Sequence, residues 1–307
     1  MAILGVIVAV IVVGAGLFLF RDSDQGTVFR YAFASGERRA YTLDMAIKIT
    51  PRGAQATQPF TGRVRAAMAV TEREKRNDGT AILDLTLSNV QTDPPRSTGP
   101  LEGGRLRLAI APDGRVKDVE GTGGVLSIAG LDTASFGAGG AADTTSSQVL
   151  FPQYPEHAIE PGDSWTRMSK APLPFGNGSV DVRTDGRFEG YTDSGLGRAA
   201  RVKLRVTTPI DYTVTIGELT KAAAKASASP LPTPNVPADA RVVLDGETVT
   251  SSTAIVLPAT SDLVRMDGTT NMTVKMNIEG VPAEQLEGAP ASYAFDAAIT
   301  MSIVRST

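Results

Sequence analysis

Residues 201–216 read RVKLRVTTPIDYTVTI, the longest regular pattern in this 307-residue chain. The even-numbered positions carry Val, Leu, Ile, Tyr or Thr, whereas the odd-numbered positions include Arg201, Lys203 and Arg205. Because side chains alternate between the two faces of a β-strand, this pattern predicts a long strand with one buried and one solvated face. Pro209 falls on the solvated face, a position that suits a bend or a sheet edge.

The same alternation recurs along most of the chain. It starts at Phe29, Tyr31 and Phe33, which predicts a strand close to residue 29, and it returns in five further stretches, 41–49, 64–70, 83–87, 272–278 and 293–303. Gly-containing turns such as 77–79 and 112–114 separate these stretches. We therefore predict a mainly β fold, a large antiparallel curved sheet or an open barrel or sandwich.

The β pattern divides into two halves in the sequence. Residues 28–307 form the predicted β domain, with possible halves 28–120 and 149–307 joined by a Gly/Ala-rich loop over 121–148. Such a composition offers few side chains that could build a core of its own. We interpret the loop as a connection between the halves, or as a flap over a cavity.

A different kind of segment precedes the β pattern. Residues 2–20 read AILGVIVAVIVVGAGLFLF, nineteen uncharged residues that would span ~28 Å as a helix at ~1.5 Å per residue. Bulky residues stand before Arg21, where a cleaved signal peptide would carry small ones. We therefore predict one transmembrane anchor helix over residues 1–20, followed by a linker over residues 21–27.

The predicted anchor helix carries small residues that include Gly5, Gly14, Ala15 and Gly16. Small side chains let a second helix approach closely within a bilayer. The sequence thus predicts integral membrane protein partners that pack on this helix.

We predict the orientation of the anchor from the size of the domain that follows it. Arg21 and Arg30 follow the helix, which by itself favours the cytoplasmic side for the C-terminal part. Long domains are translocated largely regardless of such charges. We expect the anchor in the inner (cytoplasmic) membrane and the β domain on the periplasmic side.

Composition excludes several classes of chemistry. The chain has no cysteine and one histidine, His157, which excludes disulfides, thiolate catalysis, a lipidated cysteine and most histidine-dependent metal or triad chemistry. The net charge at pH 7 is −3, and neither half of the chain is charged one-sidedly enough to indicate nucleic acid as a partner. We expect no enzymatic activity, no cofactor and no metal.

Five methionines fall on predicted inward-facing positions, and they are Met45, Met68, Met272, Met276 and Met301. Met is a deformable side chain that serves equally in a packed core and in the lining of an adaptable apolar pocket. Both interpretations require one apolar face per strand, so the pattern leaves core filling and a cavity for a lipid-like ligand open.

Rows of basic residues lie on the opposite, solvated faces. Arg63 with Arg65 is one such row, and Arg201 with Lys203 and Arg205 is another. The rows could bind anionic headgroups near a membrane, or they could simply solvate one face of an antiparallel sheet.

Three stretches carry a resemblance to known proteins, RYAFASGERRAYTLDM at 30–45, NDGTAILDL at 77–85 and FPQYPEHAIEPGDSW at 151–165. They resemble an uncharacterised group of bacterial envelope proteins, often anchored or lipidated. The succession of long hairpins also resembles the unclosed β-barrels of lipoprotein carriers. The resemblance implies an envelope location and an open β-barrel, and it brings no catalytic residues.

Two functions follow as expectations. The first is a non-catalytic, single-pass structural or accessory subunit of a larger membrane protein complex, which accounts for the anchor and the short linker. The second is a carrier or sensor of lipid-like hydrophobic ligands in the cell envelope, which accounts for the Met-rich apolar faces.

Overall fold

The structure is a computed structural model that describes residues 26–33, 36–52, 58–95, 105–122, 151–172, 179–218, 237–282, 285 and 291–306. The strands within these ranges are β1 Arg38–Arg52, β2 Phe60–Lys75, β3 Ala81–Asp93, β4 Arg105–Ile110, β5 Val116–Thr122, β6 Ser164–Pro172, β7 Ser179–Asp193, β8 Arg198–Thr215, β9 Arg241–Leu257, β10 Asp262–Glu279 and β11 Ser292–Arg305.

All eleven strands belong to one antiparallel sheet in the order β5-β4-β3-β2-β1-β11-β10-β9-β8-β7-β6. Every connection joins neighbouring strands except that between β5 and β6, which are the two edges, and the first and last strands pair at the centre. The predicted mainly β, antiparallel fold is therefore confirmed, as a single sheet that does not close.

The alternation in the sequence becomes alternation in burial. In β8, Val202, Leu204 and Val206 are buried while Lys203 and Arg205 are exposed. Pro209 pairs with Glu247 of β9, and the pairing of β8 with β7 stops at Thr207. At Pro209, β8 is therefore paired with β9 but not with β7. The missing N–H of proline does not break a hydrogen-bond ladder between β8 and β7 at this position.

The sheet curls until its two edges approach each other. Arg167 on β6 lies 3.9 Å from Asp113 in the β4–β5 turn, although these elements stand at opposite edges of the sheet. The segment after residue 150 bridges them, since the Tyr154 N–H donates to the Asp113 carbonyl at 2.9 Å and the Trp165 indole N–H donates to the Gln153 carbonyl at 3.0 Å. The apolar face lies inside this curl.

The N-terminal residues fill the interior instead of forming the predicted strand. Phe29 and Tyr31 are buried, but residues 28–33 are not in a strand. Their backbone bonds go to turns, from the Tyr31 N–H to the Pro112 carbonyl and from the Ala32 N–H to the Thr260 carbonyl. The alternation predicted which side chains are buried and was wrong about the strand, because no neighbouring strand supplies a ladder there.

The two ends of the strands differ. We call the end with the short connections 76–80, 111–115, 194–197 and 258–261 the turn end; the chain enters the described part there, at Gly26. The opposite end, which we call the loop end, carries the connections 53–59, 216–240 and 280–291. The main core cluster reaches the turn end, whereas a second, smaller cluster lies towards the loop end on β8–β11.

No helix in the described ranges is long and apolar enough to cross a bilayer. The predicted anchor helix over residues 1–20 lies outside the described residues, as do most of the predicted loop 121–148 and the linker up to residue 25.

Candidate binding surface

An open groove lies on the solvated face of the sheet, and we call it the polar groove. It has a volume of about 1050 Å³ and is lined by residues of eight adjacent strands, β2, β1, β11, β10, β9, β8, β7 and β6. Its lining includes Asp44, Arg63, Ser164, Thr166, Asp185, Arg187, Lys203, Arg205, Ser251, Thr253, Asp267, Thr269, Thr300 and Ser302.

The polar groove follows one level of the sheet. A chain of cross-strand neighbours runs through it without a break, Ser164–Arg187–Lys203–Thr253–Asp267–Ser302–Asp44. Adjacent strands lie ~4.8 Å apart, so eight strands extend over roughly 34 Å. The groove is therefore long, and hydroxyl and charged groups follow one another along it.

The inward-facing side of this level carries small residues. Gly186 of β7 lies against the Trp165 ring, and a Cβ added there would come within 2.2 Å of that ring. A Cβ added to Gly268 of β10 would lie 3.0 Å from the Ser252 Cβ. The missing side chains let the sheet pack closely at the level where its outer face forms the groove.

Each carboxylate in the groove is paired with an arginine. Arg63 binds Asp44 through two bonds of 2.7 and 2.5 Å, and this contact holds the pKa of Asp44 below its usual value. Arg183 does the same for Asp185 at 2.9–3.1 Å. These carboxylates stay ionised and act as hydrogen-bond acceptors.

Asp267 repeats this arrangement on β10. The Arg265 guanidinium donates to it at 2.6 Å and lowers its pKa, and the Ser302 hydroxyl donates to it at 2.7 Å. Arg265 and Arg183 each lie two residues before their aspartate on the same face of the strand.

Two groove cations lack such a partner. Arg187 on β7 and Arg205 on β8 are exposed, and neither has an ion pair, within 4 Å, with a carboxylate that the structure describes. Arg205 lies opposite Asp185 in register, and its charge adds to the effect of Arg183 in lowering the pKa of that carboxyl group. Lys203 lies opposite Arg187 and pairs with Glu189 at 2.6 Å. Ser164 and Ser251 flank the two arginines on the neighbouring strands. The β6–β9 part of the groove thus offers guanidinium donors beside hydroxyl groups.

A buried polar network holds the turn end. Arg39 is 4% exposed, lies 2.5 Å from Asp262 and binds Glu37 through two bonds of 3.0 and 3.1 Å. It also donates to the Ala32 carbonyl at 3.2 Å and lies over the Phe33 ring. Arg39 therefore joins β1, β10 and the N-terminal segment.

Asp262 in this network is shielded from water. Burial raises its pKa, and the positive charges of Arg39 and Arg305 act against this effect. A cavity of about 20 Å³ lies beside it, lined in part by Tyr31, Tyr41 and Ser261. That volume corresponds to about one water molecule, which the Asp262 carboxylate and the Ser261 hydroxyl could bind.

The five methionines lie in two places. Met45 and Met68 are buried in the main cluster, and Met301, which pairs with Met45 in register, packs against it. Met272 and Met276 are partly buried in the second cluster. The inward positions predicted from the sequence are thus found in two separate clusters, and Gly5, Gly14, Ala15 and Gly16 lie outside the described residues.

Sequence reasoning found part of the groove. The basic row on β8 pointed to Lys203 and Arg205, and Arg63 was noted in β2. It missed Arg187, Asp185 and Asp267, because the level at which separate strands align depends on register. These charged residues occupy outward-facing strand positions directly beside an inward-facing Gly, as in Asp185-Gly186-Arg187 and Asp267-Gly268. This local pattern could have indicated them.

The described residues contain no group of three or more His, Cys, Asp or Glu side chains suited to hold a metal ion. No protein-family model matches the chain, and no curated protein matches it significantly. The resemblance to bacterial envelope proteins stays a prediction.

Proposed function

We propose that this chain is a non-catalytic, single-pass membrane-anchored protein that acts as an accessory subunit of a larger membrane protein complex, with its β domain on the periplasmic side. The observation that carries the proposal is the position of the segment after the predicted anchor. The Thr27 N–H donates to the Ile159 carbonyl at 2.7 Å, the Ile159 N–H donates back at 3.0 Å, and Phe29 is 1% exposed.

This segment is part of the core, so the folded domain begins within a few residues of the predicted anchor. Phe29 stacks on Tyr154 with ring centroids 4.9 Å apart and meets Phe188 edge-on at 5.4 Å. With five residues between Phe20 and Gly26, a membrane-spanning anchor would keep the turn end within a short tether of the membrane surface. A short tether suits a subunit that lies over its membrane partners.

The charge arrangement of the polar groove disfavours a general acid there. A general acid needs a carboxyl group whose pKa is raised towards neutrality, in reach of a substrate. In the polar groove the opposite holds, because Arg63 and Arg183 lower the pKa of Asp44 and Asp185. Paired, ionised carboxylates build a binding surface more readily than an acid–base site.

Purification from native membranes in mild detergent tests this function. We expect the wild-type protein to migrate with integral membrane proteins, and the Gly14→Leu/Gly16→Leu variant to lose them while circular dichroism shows an intact β domain. The matched control is Val10→Leu/Val12→Leu, which enlarges the same helix at positions that are not small. A lone wild-type monomer, or unchanged partners in the glycine variant, would contradict the proposal.

The second candidate is a carrier or sensor of lipid-like ligands. The observation that favours it is the second cluster, in which Tyr212, Met276 and Phe295 are partly buried around Val214 and Leu244. Mass spectrometry of chloroform extracts from the purified protein tests this candidate. Stoichiometric lipid that is lost in Met276→Asp and kept in Met168→Asp, an exposed position on the edge strand β6, would favour the carrier.

A further inference from the structure

The polar groove has the shape of a site for an extended molecule. It crosses eight strands at one level, over roughly 34 Å. Pockets for compact small molecules are deep and mainly apolar. This groove is open, and hydroxyl, carboxylate and guanidinium groups line it together with apolar groups of residues such as Trp165, Leu204 and Met301.

The position of the groove argues against recognition of a peptide as an added strand. That mode requires free backbone groups at a sheet edge. The groove lies on a face of the curved sheet and not along its edge, since seven of its eight strands are paired on both sides. Its occupant must be recognised by side chains.

Those side chains fit a sugar chain. Ser251 and Thr253 on β9, Thr269 on β10 and Thr300 on β11 follow one another across the groove. Hydroxyl groups both donate and accept hydrogen bonds, as sugar hydroxyls do. Hydroxyl groups spaced by the strand separation of ~4.8 Å present about one contact for each sugar ring.

The exposed arginines of the groove indicate that its ligand carries anionic groups. Arg187 and Arg205 are diagonal neighbours on β7 and β8, with Cα atoms ~7–8 Å apart in such a pair. Neither has an ion pair with a described residue, whereas Asp44, Asp185 and Asp267 are already neutralised. Guanidinium groups bind carboxylates and phosphates through paired hydrogen bonds.

We infer that the polar groove binds an extended anionic glycan, with Arg187 and Arg205 binding its carboxylate or phosphate groups and the row of Ser and Thr hydroxyls binding its sugar hydroxyls. This inference does not depend on the accessory-subunit function, because the groove and the predicted anchor share no residue.

Titration calorimetry with the full-length protein in detergent micelles tests the inference. The probes are a galacturonic acid hexamer, the neutral hexasaccharide maltohexaose and a hexamer of aspartate, all at low salt. We expect the uronate hexamer to bind at least about tenfold more tightly than either of the others, and its affinity to fall as salt screens the charges. A hexasaccharide whose sugars are joined by phosphodiesters, measured alongside, tells whether phosphate or carboxylate is preferred, and tighter binding of either of these two sugar chains fits the inference.

Three variants locate the site. Arg187→Gln/Arg205→Gln should weaken uronate binding at least about tenfold, and Ser251→Ala/Thr253→Val about threefold. Arg201→Gln removes a cation from the same face of β8 outside the groove lining, and it should change the affinity less than about twofold. The substituted groups are exposed or half-exposed, so thermal unfolding should stay close to wild type.

Several results would overturn the inference. Equal affinity for the aspartate hexamer would indicate general attraction of polyanions or a peptide ligand. An equal loss in Arg201→Gln would place binding outside the groove. Absence of binding of both the uronate hexamer and the phosphodiester-linked hexasaccharide at millimolar concentration, with the protein folded, would also count against it.

Discussion

The turn end and the loop end of this sheet are built from the same alternating strands and are covered in different ways. At the turn end, the inward-facing side chains are sealed by two crossing segments, residues 26–33 and 151–159, with Phe29 and Tyr154 almost completely buried. Towards the loop end, Tyr212 and Met276 face the same side of the sheet but remain partly exposed.

The difference shows that alternation alone does not make a core. An apolar face contributes to stability only where something removes it from water, at roughly 25 cal/mol per Å² of buried apolar surface. The turn end obtains its cover from the chain entering and crossing between the edges. We expect stability to concentrate there and binding of apolar partners to concentrate at the loop end.

The largest effect should come from the buried ion network of the turn end. Replacing Arg39 with Met leaves Asp262 buried beside a single, more distant cation, Arg305 at 3.4 Å. Because an unpaired buried charge is costly, we expect the free energy of unfolding to fall by about 4 kcal/mol. Urea denaturation followed by tryptophan fluorescence of Trp165 measures it.

The matched control is Arg265→Met, which breaks an exposed pair with Asp267. Exposed pairs contribute little, so its midpoint should stay close to wild type. Similar losses in both variants would show that Arg39 does not have the special role that its burial implies.

The next largest effect on stability should come from truncating apolar side chains, and it should differ between the two ends. Phe29→Ala removes a fully buried ring at the turn end and should cost about 3–4 kcal/mol through lost contacts and a cavity. Met276→Ala removes a partly buried side chain at the loop end and should cost about 1 kcal/mol. Equal costs would mean that the loop end is covered as well as the turn end.

A third variant separates backbone packing from side-chain cover. Gly246 lies on β9 towards the loop end, and a Cβ added there would come within 2.0 Å of the Thr273 carbonyl oxygen. We expect Gly246→Ala to cost about 2–3 kcal/mol by overpacking, measured as a shift of the urea midpoint. The strands of the loop end would then be as tightly packed as those of the turn end, with only the cover differing.

Gly36→Ala provides the comparison for this variant. Gly36 has a φ of +77° and no atom within 4 Å of an added Cβ, so it tests backbone conformation alone. Its cost should be about 1–2 kcal/mol. A Gly246→Ala variant that is more stable than Gly36→Ala would show that β9 and β10 separate easily, and the loop end would then be loose in its backbone too.

The sequence predicted the parts of this fold that depend on local alternation. Burial of Val202, Leu204 and Val206 on one face of β8 followed from period two, and the turn at 77–79 followed from Asn-Asp-Gly. These features need no knowledge of distant residues. The order of the eleven strands and the pairing of β1 with β11 could not be predicted this way, because pairing over 250 residues leaves no local pattern.

The candidate site was less predictable for the same reason. The basic row on β8 is visible in the sequence, but its alignment with Asp185 and Ser251 depends on the register of three strands. Phe29 and Tyr31 show the limit of the alternation rule, since two residues of an irregular segment can be buried with strand-like spacing.

The smallest effect concerns the polar groove, which lies between the two ends, and it depends on pH. Arg183 holds the pKa of Asp185 below its usual value, so the unfolded chain binds this proton more readily than the folded one. The stabilisation is therefore present above the unfolded pKa of about 3.9 and is lost as the pH falls through the lower, folded pKa. Asp185→Asn should lower the free energy of unfolding by less than about 1 kcal/mol at pH 7, because the pair is solvent-exposed.

The difference between the wild type and the variant, measured by urea denaturation from pH 7 to pH 2.5, should shrink towards the acid end. A difference that instead grows as the pH falls would mean that Asp185 is stabilised in its protonated form, and the groove would then contain a proton donor where we infer a fixed acceptor.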